Sequence, residues 1–447
     1  MNKVKRRALI IVAFAVLLVL GFCCFMIRWE AEGESWADFP SNDHVYNNGT
    51  FVAGQVRDRE GRVLLYTDDN GKRCYIDDYQ LRRATLYAVG DVAGNIGGAA
   101  TDIFHKQMMG YSLVNGVYSY SGKGSAAWLS IDAELNRTAY EALNGRSGCV
   151  AVMDYHSGQL ICMVSSPGFD PADPPSDPNY LNKFLSGVYT PGSIFKLVTA
   201  FAAVEELDME GYGYYCDGSA EYGGSNITCQ HAHGQLDFYG ALAQSCNGAF
   251  ADIAQKLGGE KLAAYAEKAG LCASHQVSGF TTAAGSFDIA PEGSWDLGWS
   301  GAGQYHDQVN PCAMLRFVSA IANGGKAVEP ELLYRCSTLE GVPYWFDLST
   351  DHQKLMSSST ANELKEMMAN NVRSNYGVDN FPNLPMCAKS GTAEVGAAYP
   401  HAWFVGFLNS DKYPYAFVVL VENGGSGANV AGSVANRVLQ AACFGDD

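Results

Sequence analysis

The sequence predicts an α+β protein in which one mainly antiparallel sheet carries helices on its faces. Strand-like runs lie near both ends of residues 126–447, and longer helical patterns lie between them. This order favours a single sheet with helices packed on it over alternating βαβ units. A long apolar run near the amino terminus adds a membrane-spanning helix. The predicted units are a tail with its anchor, a tether, a small β-rich module and a main domain: residues 1–28, 29–50, 51–125 and 126–447.

Size and composition are those of a globular protein with more than one unit. The 447 residues exceed what one small core needs, and the hydrophobic and charged fractions of 47% and 17% differ from those of disordered chains. The formal net charge of −17 argues against nucleic-acid binding, because that function requires a basic surface. We therefore expect no nucleic-acid partner.

Residues 8–27 contain no charged side chain and are numerous enough to cross a bilayer. The basic residues Lys3, Lys5, Arg6 and Arg7 precede this run. A cleaved signal peptide is the alternative, but its apolar region is usually shorter and ends in small residues. We predict an uncleaved single-pass anchor with the amino terminus in the cytoplasm and the rest of the chain outside.

The segment between the anchor and residue 126 is predicted to contain a tether followed by a small module. Residues 29–50 are polar and acidic without periodicity, which indicates a tether. Residues 51–58 and 62–66 are typical of two strands joined by a short turn. Residues 91–124 are rich in Gly, Ser and Tyr, which indicates a small β-rich or irregular module.

The main domain begins with a helix and a hairpin. Asp132 can accept hydrogen bonds from the free N–H groups of a helix over 133–143. Residues 147–154 and 159–165 are predicted to pair as a hairpin. The other predicted elements are a helix over 193–207, a helix over 360–373 opened by the capping box Thr360-x-x-Glu363, strands over 386–395, 402–408 and 415–422, and a closing helix over 430–443.

Ser193 and Lys196 stand three residues apart at the start of an apolar, alanine-rich run, after the helix-breaking pair Pro191-Gly192. Residues three apart share a helix face, so the hydroxyl and the amine can meet. A serine becomes a nucleophile when a base takes its proton, and a lysine can be that base if burial or a second cation lowers its pKa. Alone, the pattern occurs by chance in many helices.

Two later stretches add specificity. Ser245-Cys246-Asn247 follows a helical run, and Lys389-Ser390-Gly391-Thr392 lies in a strand-like run. Motifs of these three kinds, in this order, are the signature of penicillin-binding proteins and class A β-lactamases. The chain resembles the class B penicillin-binding proteins, which are membrane-anchored peptidoglycan D,D-transpeptidases, over roughly residues 127–447. Further segments that resemble this family are 148–154, 157–161, 166–171, 322–325 and 401–407.

The resemblance implies a penicillin-binding or serine β-lactamase-like transpeptidase fold and a defined set of catalytic residues. Ser193 would attack the carbonyl between the last two residues of a stem peptide ending in D-Ala-D-Ala, and β-lactams would mimic that end. Lys196 would take the serine proton, helped by Lys389 as a second cation nearby. Ser245 would relay a proton, and Asn247 would hydrogen-bond both the substrate backbone and Lys196.

The third motif is expected to hold the substrate. Lys389 with the hydroxyls of Ser390 and Thr392 would bind the terminal carboxylate of the peptide. Gly391 would leave room for the substrate along the strand. The resemblance implies that the backbone N–H groups of Ser193 and Thr392 form the oxyanion hole.

The expected chemistry uses no cofactor, and the expected partners belong to the cell wall. Residues before 126 are too few for a glycosyltransferase domain, so the resemblance implies a separate polytopic membrane glycan polymerase as a partner. The alternatives are a serine β-lactamase, a β-lactam sensor domain and a non-catalytic cell-wall scaffold. In the scaffold, Ser193 would only cap its helix.

One cysteine and histidine cluster is not explained by the motifs. Cys216, Cys229, His231 and His233 could form a disulfide, bind zinc or contain free thiols. Sulfur and imidazole ligands suit zinc, although the first gap does not match a standard zinc spacing. A clamp here would hold the loop that leads into Ser245. Most of the 13 cysteines stand singly in apolar surroundings and are expected to be buried small hydrophobic residues.

Overall fold

The computed structural model describes residues 2–112, 116, 119, 121–346, 352–396 and 398–445, so parts of the predicted module 51–125 lie outside the described residues. Within them, the helices are α1 (Asn2–Ala37), α2 (Tyr79–Val89), α3 (Ala100–Ile103), α4 (His105–Met109), α5 (Ala133–Leu143), α6 (Lys183–Ser186), α7 (Lys196–Glu206), α8 (Phe238–Ala243), α9 (Asn247–Leu257), α10 (Gly259–Lys268), α11 (Trp295–Gly301), α12 (Pro311–Ala322), α13 (Ser358–Asn371) and α14 (Gly432–Phe444). The strands are β1 (Tyr46–Asn47), β2 (Thr50–Phe51), β3 (Gln55–Arg57), β4 (Val63–Thr67), β5 (Arg73–Tyr75), β6 (Ala126–Leu129), β7 (Gly148–Asp154), β8 (Leu160–Ser166), β9 (Tyr214–Cys216), β10 (Ser219–Tyr222), β11 (Ser225–Thr228), β12 (Gly234–Leu236), β13 (Gln276–Val277), β14 (Phe280–Thr281), β15 (Lys326–Val328), β16 (Leu333–Ser337), β17 (Pro343–Phe346), β18 (His352–Lys354), β19 (Met386–Val395), β20 (Ala398–Leu408) and β21 (Tyr415–Val421).

The amino-terminal helix α1 is longer than the predicted anchor. Among the described residues, Lys3–Gly33 is long and apolar enough to cross a membrane, and its most apolar stretch has a mean hydropathy of 3.1 and no burial against the rest of the chain. The predicted apolar helix is confirmed, but the tether predicted from residue 29 is wrong at its start, because α1 continues to Ala37. Trp29 explains part of this extension, since its ring stacks on Tyr111.

The upstream strands share a sheet with the main domain. The predicted strand pair is present as β3 and β4, in the sheet order β17-β16-β6-β3-β4-β5. Strand β6 runs parallel to β3 and antiparallel to β16. The boundary at residues 125 and 126 stays a prediction, and this sheet crosses it.

The central sheet of the main domain is antiparallel throughout, in the order β19-β20-β21-β7-β8. Alternate residues of its strands face opposite sides. Cys149 and Ala151 of β7 belong to one core cluster, with residues of α7 and α12, whereas Val150 and Val152 belong to another, with residues of α5 and α14. Helices therefore cover both faces, which confirms the predicted α+β class.

The first turns of helices α5 and α13 can be compared with the predicted amino-terminal caps. Asp132 accepts hydrogen bonds from the first turn of α5, as predicted. Helix α13, in contrast, begins at Ser358, and its cap is the Ser357 side chain, which accepts from the Thr360 N–H. The predicted capping box at Thr360 and Glu363 is wrong, since Glu363 accepts a hydrogen bond from Tyr239 instead.

Candidate active site

Ser193 lies in a tight turn between Pro191 and helix α7. Gly192 has a φ of 54°, a conformation that residues with a Cβ atom rarely adopt. Gly192–Ile194 form a 3-10 turn, and the α-helix begins only at Lys196. The predicted helix start at Ser193 is thus corrected by one turn. Ser193 and Lys196 still lie on the same side of the turn, because a 3-10 helix has three residues per turn and places the serine above the lysine.

Lys196 is fully buried at the centre of a hydrogen-bond network. Its Nζ atom lies 3.1 Å from Ser193 Oγ, 3.2 Å from Ser245 Oγ and 2.6 Å from Asn247 Oδ1. Burial lowers the pKa of Lys196 to about 8, because removal from water disfavours the charged amine. A neutral amine at this position can accept the proton of Ser193.

The second motif forms the turn between α8 and α9. Ser245 has a φ of 51°, which is uncommon for a residue other than glycine, and Asn247 is the first residue of α9. The Asn247 amide is held at both ends. Its Oδ1 atom accepts from Lys196, and its Nδ2 atom donates to the Thr228 carbonyl oxygen at 2.7 Å.

Lys389 enters the same site from strand β19 and is fully buried. Its Nζ atom lies 3.0 Å from Ser245 Oγ and 2.7 Å from the Ser390 carbonyl oxygen. Burial, and then the charge of Lys196, hold the pKa of Lys389 well below its usual range. The Ser245 hydroxyl is therefore within hydrogen-bond distance of both amines. The structure brings together five residues that the three sequence motifs predict: Ser193, Lys196, Ser245, Asn247 and Lys389.

The turn that carries Ser193 packs directly on the edge strand β19. A Cβ atom on Gly391 would lie 3.0 Å from both Ile194 Cγ2 and the Pro191 carbonyl oxygen. A Cβ atom on Gly192 would lie 2.8 Å from the Thr392 carbonyl oxygen. The space at Gly391 that was predicted for substrate is therefore filled by the protein itself. The missing side chains let the turn and the strand approach each other closely.

Tyr376 is a site residue that no sequence motif indicates. Its hydroxyl donates to Ser390 Oγ at 3.0 Å and accepts the Ser390 backbone N–H at 2.8 Å. Burial raises the pKa of Tyr376, so its hydroxyl keeps its proton. Tyr376 ends a π-helical turn, Val372–Tyr376, that continues α13. Only the tertiary packing of this turn on β19 reveals the contact.

A cavity of about 1020 Å³ opens beside these groups. Its volume is at the upper end of the range typical of ligand sites. Ser193, Ser245, Asn247, Ser390 and Thr392 all contribute to its lining. The Ser193 hydroxyl and several other hydroxyls thus line one open space that can receive a ligand, and the Lys196 amine lies directly behind Ser193.

The cysteine and histidine cluster forms part of the cavity wall but differs from the predicted set. Cys216 Sγ lies 3.8 Å from Cys229 Sγ, so the two sulfurs are not bonded to each other here, since an S–S bond is about 2.05 Å long. Cys216 Sγ is 3.3 Å from His233 Nδ1. Cys246, which the sequence analysis did not include, lies 3.8 Å from Cys229, while His231 is outside this group of four and packs against the His233 ring.

A serine hydroxyl beside a buried amine at an open cavity is the arrangement expected of an active-serine enzyme of the acyl-transfer type. The family model described as "Penicillin binding protein transpeptidase domain" matches residues 148–440. The chain therefore belongs to the penicillin-binding protein transpeptidase family, which confirms the predicted family.

Curated relatives and solved structures agree with this family. Peptidoglycan D,D-transpeptidase PbpA of Mycobacterium tuberculosis is 27% identical over 339 residues, covering 67% of each chain. The protein of the same name from Mycolicibacterium smegmatis is 25% identical over 97% of this chain and 96% of its own. The fold is similar to that of penicillin-binding protein A from M. tuberculosis as an imipenem acyl-enzyme complex, with a TM-score of 0.74 and 22% identity over 87% of this chain and 98% of that chain. A D,D-transpeptidase domain from Eggerthella lenta gives a TM-score of 0.72, with 22% identity over 87% of this chain and 97% of that chain.

Proposed function

We propose that this protein is a membrane-anchored peptidoglycan D,D-transpeptidase that cross-links stem peptides through an acyl-enzyme on Ser193 and that β-lactams acylate the same serine. The observation that carries the proposal is the 3.1 Å contact between Ser193 Oγ and the buried Lys196 amine beside an open cavity. The names of the relatives support the choice of reaction.

Acylation begins when Lys196 accepts the Ser193 proton and the serine oxygen attacks the carbonyl between the last two D-alanines. Hydrogen bonds from the N–H groups of Ser193 and Thr392 would stabilise the resulting oxyanion. The close packing of Gly192 on Thr392 supports this pairing, because it places the serine turn against strand β19.

The leaving D-alanine needs a proton on its nitrogen. Ser245 Oγ lies within hydrogen-bond distance of both amines and can pass the proton from Lys196 to that nitrogen. The C–N bond breaks, D-alanine leaves, and an ester to Ser193 remains. An amine of a second stem peptide then attacks the ester, gives its proton back through the same groups and restores the serine.

The substrate carboxylate decides which amine carries the charge. Burial lowers the pKa of both lysines, and the charge of Lys196 lowers the pKa of Lys389 further, so the site disfavours two cations together. A carboxylate bound at Lys389 would favour the charged form of that amine. The charge on Lys389 would in turn favour the neutral, basic form of Lys196. The Ser390 hydroxyl, held by Tyr376, and the Thr392 hydroxyl would complete the carboxylate site.

The test is acylation by a labelled penicillin, followed by peptide mapping of the full chain in detergent. We expect one stable adduct, located on Ser193 and lost in Ser193→Ala. Ser157→Ala, in the hairpin turn before β8, is the matched control and should label normally. Rapid drug hydrolysis would replace the proposal with a β-lactamase, and no adduct would favour a scaffold. A stable adduct without cross-linking of stem peptides would favour a β-lactam sensor.

The membrane topology and the partner are separate parts of the proposal. We infer that the basic residues before the span keep the amino terminus in the cytoplasm, which places the cavity outside. Protease added to intact spheroplasts should then degrade the main domain, and full protection would contradict this orientation.

We further propose a polytopic glycan polymerase as a partner that contacts α1 and the module 51–125. Replacing residues 3–28 by an unrelated span should reduce its co-purification, and unchanged recovery would contradict a contact through the anchor.

A further inference from the structure

Four potential metal ligands meet beside the cavity, and the proposed reaction uses none of them. They form a group that we call the thiol–histidine cluster: Cys216, Cys229, His233 and Cys246. One sulfur or nitrogen atom from each lies within 4.8 Å of the corresponding atoms of the other three. Cys216 and Cys246 are buried, whereas Cys229 and His233 are half-buried. Such a concentration of soft donor atoms on separate elements is what a metal site requires.

The distances match a tetrahedral zinc site and do not match a disulfide. Both measured S–S separations, Cys216 to Cys229 and Cys229 to Cys246, are 3.8 Å. Bonds from sulfur to zinc are about 2.3 Å, so the edge of a tetrahedron of sulfurs around zinc is also about 3.8 Å. The shorter 3.3 Å separation between Cys216 Sγ and His233 Nδ1 agrees with the shorter zinc–nitrogen bond of about 2.0 Å.

We propose that Cys216, Cys229, His233 and Cys246 bind one Zn²⁺ through three sulfurs and the imidazole Nδ1. The three thiols release their protons to solvent on binding, and the complete site carries one net negative charge. Three thiolates and one imidazole select zinc over the hard cations magnesium and calcium. With all four positions filled by protein, the site is structural, because catalytic zinc keeps one position open.

The four ligands come from separate elements of the chain. Cys216 ends β9, Cys229 follows β11, and His233 directly precedes β12. The hairpin of β10 and β11 exposes most of its residues, so it buries little apolar surface. Cys246, in contrast, caps helix α9. A zinc ion would therefore attach the segment 214–236 to the start of α9, in addition to the packing of its few buried apolar residues such as Ile227 and Leu236.

The same ion would position the second catalytic motif. Cys246 stands between Ser245 and Asn247, and both of these contact Lys196. Asn247 also donates to the Thr228 carbonyl oxygen, one residue before Cys229. One proposed zinc ligand, Cys246, is thus next to Asn247 in the chain, and another, Cys229, is next to Thr228. The ligands are positioning residues, since loss of the metal would displace Ser245 and Asn247 without removing any reacting group.

The first test is the metal content of the full chain, purified in detergent without a histidine tag. We expect one zinc per chain, and we expect cobalt exchange to give the visible spectrum of tetrahedral thiolate-bound Co²⁺. Cys229→Ser and His233→Ala should lose the metal. His231→Ala is the matched histidine control and Cys272→Ser the matched cysteine control, and both should keep it.

The second test separates metal binding from catalysis. Chelation of wild-type protein should slow acylation of Ser193 by about tenfold to a hundredfold, and zinc should restore the rate, because displacement of catalytic groups by about 1 Å has effects of this size. Cys272→Ser should respond to chelation like wild type. The zinc proposal rests on the proposed function, but the two can fail separately. If the proposed function is wrong, the zinc-loaded protein forms no adduct with penicillin. If only the zinc proposal is wrong, the adduct forms and the protein binds no zinc.

Three outcomes would overturn the zinc proposal. The first is purified protein that holds no zinc and shows no thiolate-bound cobalt spectrum after exchange. The second is a disulfide between Cys216 and Cys229 in mass spectra of the unreduced protein. The third is a full zinc content in both Cys229→Ser and His233→Ala. Unchanged acylation after complete zinc removal would overturn the positioning role.

Discussion

At the scale of single residues, two buried amines share one serine hydroxyl. Ser245 Oγ is 3.2 Å from Lys196 Nζ and 3.0 Å from Lys389 Nζ. Neither lysine is exposed to solvent, so the free energy of charging either amine depends on the other and on any bound anion. This dependence is the physical basis of the proposed base, and it makes predictions for individual side chains.

Lys196→Met should slow acylation by penicillin by at least about a thousandfold, because it removes the base and leaves the Ser193 hydroxyl protonated. The measurement is the acylation rate together with the melting temperature. Lys256→Met, on the exposed side of α9, is the matched control and should acylate normally. A Lys196→Met protein that melts like wild type and still acylates at the normal rate would exclude Lys196 as the base.

The acylation rate should rise with pH through about 8. The pKa of Lys196 is lowered to about 8, and the amine can accept a proton only in the neutral form, whose fraction grows as pH rises through that value. The measurement is the second-order acylation rate between pH 6 and pH 10, with the same substrate throughout. A rate that falls over this interval, in protein that remains folded, would contradict the assignment.

Tyr376→Phe should weaken both the site and the fold. The change removes a hydrogen bond to Ser390 Oγ and leaves the Ser390 N–H without its acceptor, which costs about 1–3 kcal/mol in the free energy of unfolding. Denaturant unfolding and the acylation rate measure the two effects. Tyr399→Phe, at a side chain that is 77% exposed, should change neither. Equal behaviour of the two variants would show that Tyr376 does not hold Ser390.

At the scale of elements, the site depends on contact between the serine turn and strand β19. The strand lies at the edge of the central sheet and pairs only with β20 among the described strands. The turn Gly192–Ile194 packs on a face of this strand, on the side to which a Cβ atom of Gly391 would point. Glycines on both sides make this close approach possible, so the distance between nucleophile and substrate-binding strand is set by backbone packing.

Gly391→Ala should separate these two elements. The new Cβ atom would lie 3.0 Å from Ile194 Cγ2 and from the Pro191 carbonyl oxygen, so the serine turn must shift. A shift approaching 1 Å lowers the acylation rate by roughly a hundredfold. Gly213→Ala is the control, since its nearest contact is the end of the flexible Gln235 side chain. Normal acylation by Gly391→Ala would show that the turn accommodates the methyl group.

At the scale of the whole molecule, the sheet that contains β6 includes strands from upstream of residue 127, where the sequence resemblance begins. Strand β6 lies between β3, which comes from the upstream region, and β16, which comes from residues 333–337. The upstream region therefore completes a sheet of the catalytic part. Removing β3 would expose an edge of β6 and the apolar residues beside it.

A fragment that starts at residue 126 should consequently be less stable than one that starts at residue 29. We expect its melting temperature to be lower by roughly 10 °C or more, since several kcal/mol of packing and pairing would be lost. Thermal unfolding and labelling by penicillin measure the difference, with the longer fragment as the control. Equal melting temperatures would mean that the upstream strands contribute nothing to the stability of the main domain.

Local patterns in the sequence were enough to predict several features. The apolar span, the Asp132 cap, the hairpin of β7 and β8 and the order of the three motifs all depend on residues close together in the chain. Periodicity and short motifs record such local relations directly. For this reason the α+β class and the family could be predicted before any contact between distant segments was known.

Tertiary structure decided the features that depend on distant segments meeting. It brought Ser193, Ser245 and Lys389 into one hydrogen-bond network beside a cavity, added Tyr376 to the third motif, and brought Cys246 to Cys216 and Cys229 in place of His231. It also paired β6 with β3 across the predicted domain boundary. The physical reason is that local preferences determine which elements form, whereas burial of their apolar faces determines which elements become neighbours.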